Sequence, residues 1–413
     1  MGGTFVTRST RIVLIAALAA PPALFAASPA QAAKKMEVAL QDDAVLVHGY
    51  GPGFPVYDRH LAFRQLRDLG VSRLRMNVIW SIVNESQSAE RKKPRTVVYD
   101  WSRWDAAIAL AKAYGMKVHL NLTGDPPRWA CGNKKLPGQC NGYKPNARQF
   151  GKFARATAKH FGRKVDRYSI WNEPNWHTWL SPHRKAPLLY RKLYQQGYKG
   201  IKKGNRRAKV LMGETAPYFQ KGRAQAPLDF LRDMVCVNKR LKKTRKAKKK
   251  CKGKLKLDGY AHHPYDFEVP PTRERKNKDD VTMANLDRLT EMLDKMRKKG
   301  LIKGKKKLPL YLTETGYFVS GERRISERKR GRYTVKAFKM AQKNRRVKSQ
   351  LYYLLVSPPA GHSSYFFDLG LIAQDGQPYG AAYNKLRKWV KRAAKRKQVA
   401  KPKRCAAAVR SNC

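Results

Sequence analysis

Residues 147–174, ARQFGKFARATAKHFGRKVDRYSIWNEP, contain an amphipathic segment, a short apolar segment and a loop. Apolar side chains recur with the spacing of one helix face from 147 to 161, and 166 to 171 is typical of a buried strand. The same order of strand and helix repeats eight times from about residue 36 onward. Strands that alternate with helices pair in parallel through right-handed crossovers, and eight such units close into a barrel. The sequence therefore predicts an α/β fold, the (β/α)8 TIM barrel.

The eight strand-like segments are spread evenly over the chain. They are predicted at 36–40, 72–78, 117–122, 166–171, 209–213, 256–261, 309–314 and 350–356. The clearest helix-like segments are 100–114, 147–161, 284–299 and 381–397. We assign residues 33–398 to this single barrel domain, because neither an internal repeat nor a second domain is indicated.

Two strongly basic segments depart from the pattern. Residues 239–256 contain 12 Lys or Arg in 18 positions, and residues 385–404 contain 11 in 20. Like charges at this density repel one another, so the first segment is predicted to be a mobile loop inserted before strand six. The second extends the last helix into a basic, cysteine-containing tail, residues 399–413.

The N-terminal segment is typical of a cleavable signal peptide. Arg8 and Arg11 precede an apolar run from 12 to 20, and the small residues end in Ala30-Gln31-Ala32. The apolar run is shorter than the roughly 20 residues that span a bilayer. We predict that residues 1–32 are removed and that the protein is secreted.

The cysteines are six in number and form three pairs of near neighbours. They stand at 131 and 140, at 236 and 251, and at 405 and 413. In an oxidising compartment such neighbours can close small loops, although six cysteines allow fifteen pairings. We predict three local disulfides rather than a zinc site, because the chain has no Cys-x-x-Cys and no matching histidine pair.

The charge is strongly positive, with 89 Lys and Arg against 29 Asp and Glu, a formal net charge of +60. Such a surface attracts anionic partners. Three interpretations stay open: a solvated surface without a ligand, attachment of the basic loop and tail to an anionic cell envelope, or attraction of an acidic polysaccharide. A specific nucleic-acid partner is not expected, since no recognition motif is present.

Two glutamates stand where predicted strands end. Strand four runs into WNEP (171–174) and strand seven into TETG (313–316). The active site of a barrel of this type is built at the carboxyl ends of the strands. We therefore expect Glu173 and Glu314 to face each other across the mouth of the barrel, although three β/α units separate them.

These two motifs resemble those of clan A of the retaining glycoside hydrolases, in particular the cellulase-like family five and the xylosidase-like family thirty-nine. The resemblance covers nearly the whole chain after residue 32. It implies that Glu173 is the general acid/base and Glu314 the nucleophile. It also implies that Asn172 binds the 2-hydroxyl of the sugar.

The chemistry of glycoside cleavage suits such a pair. A protonated carboxyl assists the leaving group while an ionised carboxylate on the other side stabilises the oxocarbenium-like centre. Carboxyls about 5 to 5.5 Å apart give retention, and roughly 6.5 to 9.5 Å gives inversion. We predict the short distance, and hence a hydrolase that cleaves O-glycosidic bonds of a β-linked saccharide by double displacement. We also expect a monomer that needs no metal and no cofactor. The alternative is a noncatalytic barrel that binds cell-envelope or acidic polysaccharide.

Further residues at strand ends fit the same site. Arg75 resembles the strand-two arginine that positions the nucleophile in clan A, and Arg73 is the alternative for that role. His263 and Tyr265 follow strand six, where the clan places an imidazole or phenol against nucleophile and substrate, although packing alone explains His263 equally well. Glu214, at the end of strand five, is expected to bind sugar hydroxyls or to pair with a base rather than to catalyse.

Aromatic residues are frequent near the same strand ends. Their flat faces suit the apolar faces of pyranose rings, although each one alone is also typical of core packing. We expect substrate contacts from Trp80, Trp129, Trp176 and Tyr317.

Strand eight departs from the clan pattern. Clan A enzymes commonly carry a tryptophan where this strand ends, whereas residues 354–359 here read LLVSPP. Tyr365, Phe366 or Phe367 is the expected substitute. The departure affects the sugar subsite at the point of cleavage.

Overall fold

The computed structural model describes residues 1–3, 35–132, 140–245, 247 and 250–413. The chain divides into two compact units, residues 1–30 and 31–413, and all described helices and strands belong to the second. The predicted signal peptide falls outside the described residues except for positions 1–3, so it stays a prediction. Among the described residues, no helix combines the length and the apolar character needed to cross a membrane.

Eight parallel strands close into a barrel in which each strand pairs with its chain neighbours and the last pairs with the first. They are β1 (Glu37–Gln41), β2 (Arg73–Ile79), β3 (Lys117–Thr123), β4 (Arg167–Ile170), β5 (Lys209–Thr215), β6 (Gly259–His262), β7 (Leu310–Leu312) and β8 (Val347–Tyr353). The predicted (β/α)8 barrel is confirmed.

One long helix follows each strand in the described part of the chain. These helices are α1 (Arg59–Asp68), α2 (Ser102–Ala113), α3 (Ala147–Phe161), α4 (Ala186–Gly204), α5 (Pro227–Met234), α6 (Leu286–Lys298), α7 (Glu327–Lys343) and α8 (Gly380–Lys395). Shorter helices are Trp80–Val83 and Glu85–Ser88, a π-helical turn Ala44–His48, and 3-10 turns at Arg128–Ala130, Gly162–Lys164, His183–Lys185, Met283–Asn285, Ser363–Phe367 and Ala407–Asn412.

Helix α3 shows how local sequence sets these elements. The side chain of Asn146 accepts hydrogen bonds from the amides of Arg148 and Gln149 and so caps the first turn. The apolar face is buried, and the helix covers the range predicted from its periodicity. Helix α4 packs closely on α3, and glycine at position 200 allows this approach, because a Cβ there would collide with the carbonyl oxygen of Gly151.

Two strands differ from the prediction. The predicted strand at 256–261 is divided, because Leu255–Lys256 pairs with Ile302–Lys303 in a separate two-stranded sheet while β6 starts at Gly259. The last barrel strand ends at Tyr353, and the apolar residues after it are a buried irregular segment. A short apolar run signals burial, but it does not by itself distinguish a strand from a buried loop.

The basic tail packs against the amino-terminal end of the barrel. Val399 pairs with Met36, and the amides of Lys403 and Ala406 donate to the carbonyl oxygens of Gly115 and Ala113. The pairs Cys131–Cys140, Cys236–Cys251 and Cys405–Cys413 are disulfide-bonded, which confirms the three predicted local bridges. In the basic insertion, residues 246 and 248–249 lie outside the described part of the chain, so its predicted mobility stays a prediction.

Candidate active site

The loop after β4 presents Glu173 at the mouth of the barrel through an unusual backbone path. Trp171 and Glu173 have positive φ angles of 66° and 35°, a conformation that L-residues seldom adopt. The amide of Trp171 donates to the Leu122 carbonyl at 2.7 Å, and the amide of Asn172 donates to Thr123 Oγ1 at 3.0 Å. Strained residues held by their surroundings in this way cluster at functional sites.

The two glutamates lie together, as the strand ends predicted. A carboxylate oxygen of Glu173 and one of Glu314 are within 4.8 Å of each other. The side chain of Glu173 is 17% exposed and that of Glu314 is 10% exposed. Glu173 is therefore the one that solvent reaches more easily, while Glu314 lies deeper among its partners.

Arg75 is the cation that organises the deeper part of the cluster. From β2 its Nη1 donates to Glu314 Oε1 at 2.8 Å, and its Nη2 donates to Asn172 Oδ1 at 2.8 Å and to Glu214 Oε2 at 3.1 Å. Arg73 points to the opposite end of the barrel, where it pairs with Glu37. The structure thus selects Arg75 over Arg73 as the arginine beside Glu314.

The segment after β6 brings two more predicted side chains to the glutamates. Tyr265 donates its hydroxyl to Glu314 Oε2 at 3.1 Å. His263 Nδ1 lies 2.9 Å from Glu173 Oε1 and 3.5 Å from Glu314 Oε2. The imidazole therefore lies between the two carboxylates, and packing alone does not account for its position.

Glu214 is a third, fully buried carboxylate in the same cluster. The pairing of β5 with β6 shifts register between Gly213 and Thr215, and Glu214 has a positive φ of 52°. Irregularities of this kind re-aim a side chain. The side chain reaches His263 Nε2 at 2.7 Å and accepts a hydrogen bond from Thr313 Oγ1 at 2.6 Å. It pairs with bases, which is one of the two expectations for this residue.

Burial and charge act in opposite directions on the cluster. Burial raises the pKa of Glu314, and the nearby His263 and Arg75 oppose that rise without cancelling it. Burial also acts to lower the pKa of His263, but the charge of Glu314 and hydrogen bonds to Glu173 and Glu214 raise it to about 9. For Glu214, burial is outweighed by Arg75 and His263, which hold its pKa below the ordinary range.

The four aromatic residues predicted to contact substrate differ in their burial. Trp80 is fully buried and stacks on Phe153, and Trp129 packs edge-on against Trp80. Both are core residues, so the expectation that they contact substrate is corrected: their large apolar area is used to join the strands to the helices. Tyr317 is buried beside Tyr333, and Trp176, in the loop after β4, stays partly exposed.

Sequence reasoning missed several residues around Glu314. Gln41, at the end of β1, accepts a hydrogen bond from Arg75, and Asp43 next to it accepts from the amide of Asn77 at 3.0 Å. Tyr353 ends β8, and burial and then the charge of Glu314 raise its pKa well above the ordinary value. Their position in or just after a predicted strand was the one sequence feature that could have pointed to them.

The expected substitutes for a strand-eight tryptophan lie farther out. Tyr365 and Phe366 are exposed, Phe366 by 81%. Phe367 packs against Tyr353 and Tyr265, with ring centroids 5.9 and 5.8 Å apart. Phe367 thus packs on two tyrosines of the cluster, while Tyr365 and Phe366 face solvent.

Glu173, His263 and Glu314 also come close enough together to be considered as a cation site. The ring nitrogens of His263 face Glu173 and Glu214 at 2.9 and 2.7 Å, and Arg75 donates to Glu314, so hydrogen bonds already engage all three groups. The expected independence from metal stays a prediction.

Comparison with solved structures identifies barrels that share this fold. A family 39 glycoside hydrolase from the gut symbiont Bacteroides cellulosilyticus WH2 is 15% identical, with a TM-score of 0.61, over 86% of this chain and 64% of that one. A family 1 β-glucosidase from Thermotoga maritima is 14% identical, with a TM-score of 0.54, over 89% and 98%. The fold is that of glycoside hydrolase barrels.

A third such barrel is xylanase 10B from Thermotoga petrophila RKU-1, solved with xylobiose; it is 14% identical, with a TM-score of 0.53, over 87% of this chain and 94% of that one. The chain spans just under two thirds of the family 39 protein. No family model and no curated protein matches the sequence. The resemblance to family thirty-nine is supported at the level of fold, and that to family five stays a prediction.

Proposed function

We propose that this protein is a retaining glycoside hydrolase that cleaves β-linked saccharides, with Glu173 as general acid/base and Glu314 as nucleophile. The observation that carries the proposal is the approach of the two carboxylates to within 4.8 Å across the barrel mouth. Carboxylate oxygens this close favour the roughly 5 to 5.5 Å separation of carboxyl groups in retaining enzymes over the wider separation in inverting ones.

The two glutamates have different hydrogen-bond partners. Arg75 and Tyr265 both donate to Glu314, so its ionised form has two fixed hydrogen bonds at 2.8 and 3.1 Å. In the first step Glu314 forms a bond to the anomeric carbon while the bond to the leaving oxygen breaks and that oxygen takes the proton of Glu173. Water, deprotonated by Glu173, then releases the sugar from Glu314.

The test is hydrolysis of a panel of aryl β-glycosides and polysaccharides by the chain from residue 33 onward. Glu173→Ala should lower activity by about 10²- to 10⁴-fold, and Glu314→Ala should abolish it. Glu85→Ala, an exposed glutamate, is the matched control and should be unaffected. Added azide should restore turnover to Glu314→Ala on an aryl glycoside and give a glycosyl azide of inverted configuration, because azide attacks from the side that Glu314 occupied.

A noncatalytic barrel that binds anionic polysaccharide is the alternative. It would be favoured by a wild-type protein that binds saccharides and releases no product from any substrate. Unchanged activity in both glutamate variants would exclude the assigned roles even if hydrolysis is observed.

We further propose that the protein is secreted as a monomer and is held at an anionic cell envelope by its basic insertion and tail. Lysines and arginines of both segments are exposed, and within the described chain they form no ion pairs: Lys239, Arg240, Lys242, Lys243, Lys401, Lys403 and Arg404. Binding to anionic vesicles, but not to neutral ones, should weaken steeply with added salt. Equal binding to both vesicle types would exclude this attachment.

A further inference from the structure

We infer that Glu214 is a positioning residue that keeps His263 doubly protonated and fixed between the two glutamates, so that the imidazolium meets the negative charge developing on Glu173. The inference rests on the proposed function, in which Glu214 itself has no part. It begins with the hydrogen bonds of Glu214, which determine what that carboxylate can do.

Glu214 can act only as an acceptor. Three donors converge on its Oε2: Arg75 Nη2 at 3.1 Å, Thr313 Oγ1 at 2.6 Å and the ring of His263 at 2.7 Å. Its other oxygen, Oε1, is buried without a hydrogen-bond partner and lies 3.9 Å from His119 Nε2. A carboxylate in the ionised state accepts hydrogen bonds and donates none.

The acceptor role of Glu214 fixes one proton on the histidine. Because Glu214 cannot donate, the Nε2 of His263 must carry a hydrogen. The Nδ1 on the other side of the same ring faces oxygens of Glu173 and Glu314 at 2.9 and 3.5 Å. When Glu173 is ionised it can only accept, so Nδ1 must carry a proton too and the ring is an imidazolium; when Glu173 is protonated, the negative charge of Glu314 still favours that proton. Its pKa of about 9 agrees with this geometry.

Several charged and titratable groups face this ring, and the balance among them favours the cation. They are Arg75 on β2, Glu173 after β4, Glu214 on β5, His262 on β6, Tyr265 beyond β6 and Glu314 after β7. Arg75 is paired with two of the carboxylates, and burial lowers the pKa of His262 to about 3, so that histidine is neutral. Glu214 thus supplies a permanent negative charge in direct contact with the ring.

In this position His263 can stabilise the negative charge that forms on Glu173 during catalysis. When Glu173 transfers its proton to the leaving oxygen, it becomes an anion, and a donor already aimed at it requires no reorganisation. Glu214 acts only through the ring. Its replacement should therefore lower kcat and leave KM nearly unchanged, since the side chain of Glu214 is fully buried and exposes no atom to a substrate.

The decisive measurement is an NMR titration of His263 from pH 5 to 10 in the full chain without substrate, assigned by the loss of its ring signals in His263→Asn. In the wild type both ring nitrogens should be protonated at pH 7. In Glu214→Gln, which keeps the shape and removes the charge, the midpoint should fall by about 1 to 3 pH units. Glu214→Asp, which keeps the charge, should remain closer to the wild type.

Glu37→Gln is the matched control. Glu37 is also a largely buried carboxylate, 15% exposed, with two arginines, Arg73 and Arg167, but it lies at the other end of the barrel. It should leave the midpoint of His263 unchanged. A neutral ring in the wild type at pH 7, or an unchanged midpoint in Glu214→Gln, would overturn the inference. If Glu214→Gln does not fold, a neutral wild-type ring still overturns the inference, and a His263 midpoint in Glu214→Asp that falls as far as that of a histidine without a carboxylate partner would do so too. None of these measurements needs a substrate, so failure of the proposed hydrolase function is detected separately.

Discussion

Arg75 donates to Glu314 from Nη1 at 2.8 Å, and the same guanidinium holds Asn172 and Glu214 through Nη2. One cation thereby fixes groups that belong to three different strand ends. Arg73, two residues earlier on β2, makes a comparable buried pair with Glu37 at the other end of the barrel. Replacing each arginine in turn therefore distinguishes a loss of protein stability from a loss of catalytic activity.

Arg75→Met should lose both stability and activity. Leaving one partner of a buried ion pair alone costs about 3 to 5 kcal/mol of unfolding free energy, and kcat should fall further because Glu314 loses its closest cation. Arg73→Met should show a comparable loss of unfolding free energy in urea with little change in kcat. Equal losses of kcat in both variants would mean that Arg75 acts only through stability.

Tyr265→Phe should reduce kcat without changing the packing around it. The ring of Tyr265 stacks on Phe267 with a centroid distance of 4.5 Å, and this contact is retained in the variant. The lost hydrogen bond to Glu314 is worth about 1.5 to 3 kcal/mol because the acceptor is charged, or roughly 10- to 100-fold in kcat. Tyr194→Phe removes an equally buried hydroxyl far from the site, one that donates to the Lys256 carbonyl, and should leave kcat unchanged.

Trp80→Ala and Trp176→Ala should separate core packing from substrate contact. Trp80 is buried against Trp129 and Phe153, so its truncation should cost about 3 to 5 kcal/mol of unfolding free energy and leave KM nearly unchanged. Trp176 is partly exposed, and its truncation should raise KM with a smaller loss of stability. The reverse pattern would restore Trp80 to the substrate site.

The stability of the barrel should depend on pH through Glu37. Burial acts to raise the pKa of this carboxyl, but Arg167 and Arg73 lower it to about 2, below its ordinary value of 4.5. The resulting stabilisation, about 3 kcal/mol, is present above pH 4.5 and is lost as the pH falls through 2. The difference in unfolding free energy between wild type and Glu37→Gln should therefore shrink below pH 4.5, measured by urea denaturation. A difference that stays constant down to pH 2.5 would contradict this.

The amino-acid sequence by itself determined the repeating strand–helix order, because the spacing of apolar residues within each short segment shows which side chains are buried. It also predicted the local disulfides, since neighbouring cysteines need little chain to meet. Glu173 and Glu314 could be found in the same way, because in a barrel every strand ends at the same face. The sequence could not predict that one strand begins at Gly259 and another ends at Tyr353, since buried loops are as apolar as strands.

Only the tertiary structure decided which arginine meets Glu314, that Trp80 lies in the core, and that Tyr353 and Gln41 join the site. Arg73 and Arg75 share one face of β2 because side chains alternate along a strand, so only their position along the barrel axis gives them different partners. For Trp80 the face of the barrel decides, since a shift of one residue along a strand exchanges the barrel interior for the helix layer. A bulge such as that at Glu214 changes this alternation without a signal in composition. The charge state of His263 also depends on the tertiary structure, because three carboxylates from three separate strand ends determine it.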